Sequence, residues 1–261
     1  MITPNFDRLR LHPGDRVLDI GCGTGRHTCA TYKKAGVVAF GADLNLEEVR
    51  EAKSRLELHD RLGIHGGGRW GLCVADTLRL PFDNAAFDLI ICCEVLEHIR
   101  DHQAAVTELA RVLKPGHQLV VSVPRYWPEK ICWSISKAYS REKGGHVRIY
   151  RKSSIVKILG CAGFERYAAH HAHSLHTPYW WLKCLVGPEV EEHRLVSLYH
   201  RFLTWDIMQR PWITGFIDRL LNPILGKSIV LYFVKSSDTG GVCPTILSQT
   251  VAKEPAGYVR R

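Results

Sequence analysis

Residues 16–25, Arg-Val-Leu-Asp-Ile-Gly-Cys-Gly-Thr-Gly, constrain this chain more than any other stretch. The apolar run reads as a buried strand, and the three alternating glycines read as the tight turn into which it runs. Glycine at such a turn lets a ligand approach the backbone closely. In α/β proteins a loop of this kind lies at the carboxyl edge of a helix-wound parallel sheet.

The rest of the chain agrees with that architecture. Strand-like and helix-like segments alternate from about residue 16 to 123, with strands expected at 16–20, 37–42, 70–75, 87–93 and 117–123. Asn45 can cap the second helix while Glu48 completes a capping box, and Lys114-Pro115-Gly116 turns a helix into the fifth strand. Pro124, Trp127 and Pro128 then break the pattern, and Trp133 to Tyr139 reads as a short helix. Ser153 can cap a helix to about Gly160, followed by strands at 164–172 and 228–235. About 54 residues, 174–227, fill what is usually a short connection. They hold Trp180, Trp181, Trp205 and Trp212, a helical stripe through Leu195, Leu198, Tyr199, Phe202 and Trp205, and a second helix punctuated by Pro211 and Asn222-Pro223. The organisation expected is one domain over 1–261. It has a ligand-binding core at 14–123, a lid segment at 124–150, a helical insertion at 174–227 capping the substrate site, and a poorly ordered tail at 236–261.

Bulk properties set outer limits. The net charge of +9 favours an anionic partner, but the Lys and Arg residues are scattered rather than blocked. Nine cysteines without zinc-like spacing, several of them within apolar strands, fit a reducing cytoplasmic setting. Neither a secretory signal nor an apolar run long enough to span a bilayer is evident.

Three acids decide what the loop can hold. Arg26 stands where a dinucleotide fingerprint wants glycine, and Asp19 would repel a pyrophosphate but attract a cationic amino-sulfonium ligand. Asp43 ends the second strand, where a carboxylate can accept from ribose hydroxyls. Asp76 follows the third strand and can accept from an adenine amino group, with Leu44 and Thr77 flanking the ring. Each acid alone could be a helix cap, whereas three at successive strand ends beside a glycine loop are hard to explain that way.

The run Val17 to Gly25, the strand-end Asp43, and Asp76, Leu80-Pro-Phe-Asp83, Phe87-Asp88-Leu89, Glu94-Val-Leu-Glu-His98 and Leu113-Lys-Pro-Gly116 together resemble class I S-adenosylmethionine-dependent methyltransferases, in the style of the small-molecule, quinone-biosynthesis branch. The resemblance covers about residues 14–123 and the last two strands. It implies a Rossmann-like α/β fold: a seven-stranded, mostly parallel sheet with an antiparallel seventh strand, helices on both faces, and a helical insertion between strands six and seven. It also implies S-adenosylmethionine as cofactor, with Gly21, Cys22, Gly23 and Gly25 around its methionyl and ribose parts and Cys93 and Glu94 beside the methionyl group.

Methyl transfer from a sulfonium is an in-line displacement, so a base is needed only where the nucleophile must lose a proton. His98 and His146 are the candidates, and Arg148 and Tyr150 could bind substrate. Glu94, Glu97 and His98 share a helical face and could ligate a divalent cation. The reading adopted is metal-free, with Glu94 holding the methionyl amine. Six of the seven tryptophans lie outside the cofactor half, which fits a hydrophobic acceptor such as a lipid, isoprenoid or quinone-like molecule. Arg194, Arg201, Arg210 and Arg219 could rest on an anionic membrane, and the Leu-rich helices could equally form a homodimer. A nucleic-acid methyltransferase is disfavoured, because the fourth strand ends in Cys-Cys-Glu-Val and no RNA-binding motif is attached. A non-catalytic cofactor-binding partner protein and a nicotinamide dehydrogenase are the remaining alternatives.

Overall fold

The computed structural model describes residues 2–140, 145–187, 193–209 and 211–237. Seven strands form one sheet: β1 (Arg16–Ile20), β2 (Val38–Asp43), β3 (Arg69–Val74), β4 (Phe87–Cys93), β5 (Leu113–Pro124), β6 (Phe164–Ala172) and β7 (Ser228–Lys235). Their order is β3-β2-β1-β4-β5-β7-β6, and only β7 runs antiparallel to its neighbours. This is the mostly parallel seven-stranded arrangement expected. The strand order changes direction at β1 and β4, which opens a crevice at their carboxyl ends.

Alternating side chains explain why the sheet needs helices on both faces. Leu18, Ile20, Ile90, Leu119, Leu231 and Phe233 are buried on one side. Val17, Leu89, Ile91, Val120 and Val230 are buried on the other. The first face is covered in part by α3 (His102–Val112) and α6 (Lys152–Cys161), through Val106, Leu109, Ile155 and Leu159. At the other end of the sheet, α1 (Arg26–Tyr32) and α2 (Leu46–Arg61) pack beside β2 and β3, with Cys29, Tyr32, Ala39 and Leu56 buried together.

Local chemistry departs from expectation at several element ends. Asn45 does cap α2, accepting from the Glu47 amide at 2.9 Å, but its own amide donates to Asp43 Oδ1 at 2.9 Å rather than to Glu48. The reciprocal half of the capping box is therefore taken by the strand-end acid. Arg151, not Ser153, occupies the N-cap of α6 and makes no side-chain cap bond. Residues 124–150 hold two helices, α4 (Tyr126–Ile135) and α5 (Lys137–Ser140), where one short helix was expected. The insertion holds three: α7 (His176–Val186), α8 (Arg194–Gln209) and α9 (Trp212–Leu225), the last running through Pro223. From residue 238 onward the expected tail lies outside the described residues, as does Arg210.

The insertion belongs to the carboxyl edge. Ala172 pairs with Ser228, which pairs with Pro124, so β6 ends and β7 begins at the same edge as the glycine loop. Two of its tryptophans face the 124–150 segment: the Trp181 ring lies tilted 5.6 Å from Trp127 and donates to the Pro128 carbonyl at 3.1 Å, while Trp180 lies 5.8 Å from Tyr139. Trp205 and Trp212 point outward instead, at 49% and 78% exposure. Among the described helices of the insertion, α7 turns its tryptophans toward α4 and α5.

Candidate active site

The loop after β1 takes the shape that its glycines permit. Gly21, Gly23 and Gly25 have φ of 63°, 50° and 80°, a region costly for residues bearing a Cβ. At Gly25 a Cβ would come 2.9 Å from Ala52 Cβ, so α2 packs directly on the loop. Gly23 N–H donates to Asp43 Oδ2 at 2.8 Å, tying the loop to the end of β2. Each Asp43 oxygen accepts one bond from the protein and keeps a lone pair that could take a ribose hydroxyl.

Asp19 is buried at the end of β1. Its Oδ2 accepts from Thr28 Oγ1 at 2.7 Å, while the buried Oδ1 has no hydrogen-bond partner and faces His27 Nδ1 at 3.7 Å. An orphaned buried carboxylate oxygen beside the glycine loop suits a cationic ligand. The Cys22 thiol next to it stays neutral, since burial and the Asp19 and Asp43 charges push its pKa up. Leu44 and Asp76 are exposed and Thr77 half-buried. Asp76 Oδ1 accepts from Leu78 N at 2.9 Å. This donor set fits S-adenosylmethionine: acids for its amine and ribose, and open apolar surface for adenine.

Two features of this region had no sequence signal. Glu94 follows β4 with φ of 57°, a strained conformation for a side-chain-bearing residue. Ser122 Oγ holds its carboxylate at 2.8 Å. Arg111 pins the loop after Asp76, donating to the Phe82 carbonyl at 2.7 Å and the Leu80 carbonyl at 3.0 Å while pairing with Glu108 at 2.7 Å.

Beyond Glu94 a second cluster forms. One ligand atom from each of Glu97, His98 and His146 falls within 4.8 Å of the others, and the two rings meet edge to face at 5.0 Å. The cluster thus contains both histidines and Glu97, with His146 in the place where Glu94 was expected. Glu97 is fully buried and neither carboxylate oxygen has a hydrogen-bond partner. Burial, followed by repulsion from Glu94, raises its pKa well above the usual carboxylate range. His146 Nδ1 is 2.6 Å from Oε1 of Glu129, a buried residue on α4 that also accepts from Trp133 Nε1 at 3.2 Å. Burial pushes the Glu129 carboxyl up, but the bond and charge of His146, with help from Lys227, outweigh it, and the net shift is downward. Glu129 was not foreseen.

Arg148 and Tyr150 are engaged elsewhere. Arg148 donates to the carbonyls of Leu96, Ile99 and Arg100, and the buried Tyr150 hydroxyl lies 2.6 Å from His102 Nδ1. Both brace the turn after β4.

With this geometry in place, comparison with known proteins fixes the family. A family model described as "Methyltransferase domain" matches residues 2–169. The chain belongs to the methyltransferase domain family. An O-methyltransferase of Pyrenophora dematioidea is 32% identical over 117 residues, 45% of this chain and 42% of that protein. The 27-O-demethylrifamycin SV methyltransferase of Amycolatopsis mediterranei is 28% identical over 176 residues, 66% of this chain and 62% of that one. The chain thus matches less than two thirds of either relative's length. Among solved structures, the Haemonchus contortus phosphoethanolamine N-methyltransferase 2 in complex with S-adenosyl-L-methionine matches with a TM-score of 0.58 at 18% identity, over 87% of this chain and 50% of that chain. The family match ends within β6, before α7 and β7.

Proposed function

We propose that the protein transfers the methyl group of S-adenosylmethionine to a hydroxyl oxygen of a small hydrophobic acceptor. One observation carries the proton-transfer part of this reading: the 2.6 Å bond from His146 Nδ1 to the buried Glu129, beside Glu97 and His98 at the carboxyl edge of the sheet. The O-methyltransferase names of the Pyrenophora and Amycolatopsis relatives support an oxygen acceptor.

The bound cofactor supplies an electrophilic methyl on a sulfonium. Asp19 and Glu94 would hold its methionyl amine, Asp43 its ribose and Asp76 its adenine. Leu44 and Thr77 flank the ring. Cys93, packed under the site, excludes water. When bound, the cofactor would give up its methyl to the acceptor oxygen and leave as a neutral thioether. The hydroxyl proton passes to His146 Nε2, and Glu129 stabilises the resulting imidazolium while fixing the tautomer through Nδ1. His98, packed edge to face on His146, limits the ring's rotation.

Incubating the protein with methyl-labelled cofactor and a lipid extract tests this directly. Label is expected in solvent-extractable small molecules, and His146→Asn is expected to lower kcat about 100-fold or more with cofactor affinity unchanged. Label entering only RNA would refute the acceptor class.

A second reading has its own observation: both Glu97 oxygens are buried without a partner. A divalent cation held by Glu97, His98 and His146 would satisfy them, and Glu129 would orient a metal ligand rather than a base. Bound metal in the purified protein, with activity lost on chelation and restored by one divalent ion, would select this reading.

A further inference from the structure

We propose that the outer face of α8 and α9 docks into the surface of an anionic lipid bilayer. On α8, Leu198, Trp205 and Met208 are 64%, 49% and 74% exposed. On α9, Trp212, Phe216 and Leu220 are 78%, 55% and 65% exposed. Spacings of seven and three on α8, and of four and four on α9, put each set on one side of its helix. The opposite sides carry the buried Val196, Leu203 and Thr214. Two consecutive helices thus hold their largest apolar side chains away from the core, which soluble surfaces seldom do over so wide a patch.

Charge on these helices is sorted by side. Arg194 and Arg201 lie in the apolar row of α8, four and three positions from Leu198, and Arg219 borders that of α9. The two acids of α8 and α9, Asp206 and Asp218, line a cavity of about 470 Å³ that Arg219 also borders, so the separation of charge is clearest on α8. There Asp218 accepts from Ser174 Oγ at 2.7 Å and the Leu175 amide at 3.2 Å. The outer face of α8 therefore presents apolar groups and cations together, and the apolar outer face of α9 continues it, with Arg219 at its margin beside the acid-lined cavity.

This sorting favours lipid over a second copy of the chain. A two-fold interface would set this patch against itself, bringing arginines toward arginines without an acid from either helix to pair them. Anionic headgroups supply the missing charge, and the acyl region takes the tryptophans and leucines. An open apolar groove of about 610 Å³, lined by Leu182, Leu195, Leu198, Tyr199, Arg201 and Phe202, has room for part of an acyl chain. Among the described residues no helix is long and apolar enough to cross a membrane, so the contact is interfacial. Docking does not depend on the reaction proposed above, although it would deliver a membrane-dissolved acceptor to the edge from which these helices hang.

Co-sedimentation of the full chain with vesicles tests the proposal. Phosphatidylcholine vesicles containing phosphatidylglycerol should bind it about tenfold or more better than phosphatidylcholine alone, less so as salt rises. Arg201→Gln and Arg219→Gln should each weaken binding about fivefold. Trp212→Ser with Phe216→Ser should reduce it at least about tenfold while leaving the thermal midpoint unchanged, because both side chains are exposed. Should that variant misfold, a blue shift of wild-type tryptophan fluorescence on adding the anionic vesicles supplies the same support. The proposal is overturned by equal binding to both vesicle types, by failure to bind either, or by a dimer in light scattering that the exposed-face substitutions dissociate.

Discussion

Arg111 shows how much one side chain outside the site can govern it. Its guanidinium holds the carbonyls of Leu80 and Phe82 and pairs with Glu108, whose other bond is to the Leu80 amide at 2.7 Å. That bond with Arg111 is the main reason why the Glu108 pKa is lowered. Arg111→Met keeps the apolar stem but frees the loop that follows Asp76. Cofactor affinity is expected to fall about tenfold with little loss of secondary structure, a result that calorimetric titration and circular dichroism would check together. Asp19, Asp43 and Asp76 were legible in the sequence because strand ends beside a glycine loop leave few places for a carboxylate to go. Glu129 was not: it reaches His146 across 17 residues of lid whose path no periodicity announces. The left-handed backbone at Glu94 is equally silent, since nothing in Cys-Cys-Glu-Val distinguishes a strained residue from a relaxed one.

At the scale of elements, the glycine loop and α2 are one unit. Gly25→Ala would place a methyl against Ala52 in a backbone region that alanine avoids. The expected outcome is a loss of about 1–3 kcal/mol in stability by urea titration and of most cofactor binding. Wild-type affinity in that variant would mean that the loop does not contact the ligand. Strands were the most legible elements, with β6 and β7 falling at 164–172 and 228–235 as read. Their β-branched and aromatic runs are bounded by clear breaks. The helix α7 was missed because His-Thr-Pro-Tyr-Trp-Trp lacks one-sided periodicity and carries Pro178 in its first turn, where proline is tolerated. The helix α9 was read as interrupted at Pro223, yet it continues to Leu225. There the proline forgoes the bond to the Arg219 carbonyl, and the helix ends two residues later.

Across the whole molecule, several histidines bury at the junction of β6 with the insertion. His171 and His176 are lowered to about 4, and His173 is shifted well below its ordinary value, with burial the largest cause in each. The unfolded chain takes up these protons as pH falls below about 6.5, while in the folded protein His171 and His176 resist until about 4 and His173 also resists. Their contribution is therefore complete at neutral pH and lost on acidification. Glu97 has the opposite sign: its folded pKa is raised, so its contribution is lost as pH rises through that value. A single substitution separates the two effects. The difference in urea midpoint between pH 7.5 and 5 should shrink in His176→Gln, and an unchanged difference would show that this imidazole does not carry the dependence.

A sulfonium cofactor held by the three strand-end acids is what every proposed step requires, and isothermal titration measures its binding. S-adenosylmethionine is expected to bind the wild-type protein with a one-to-one stoichiometry, to bind Asp43→Asn about tenfold or more weakly, and not to be displaced by a nicotinamide dinucleotide. Absence of binding at millimolar cofactor, or tighter binding of the dinucleotide, would contradict it.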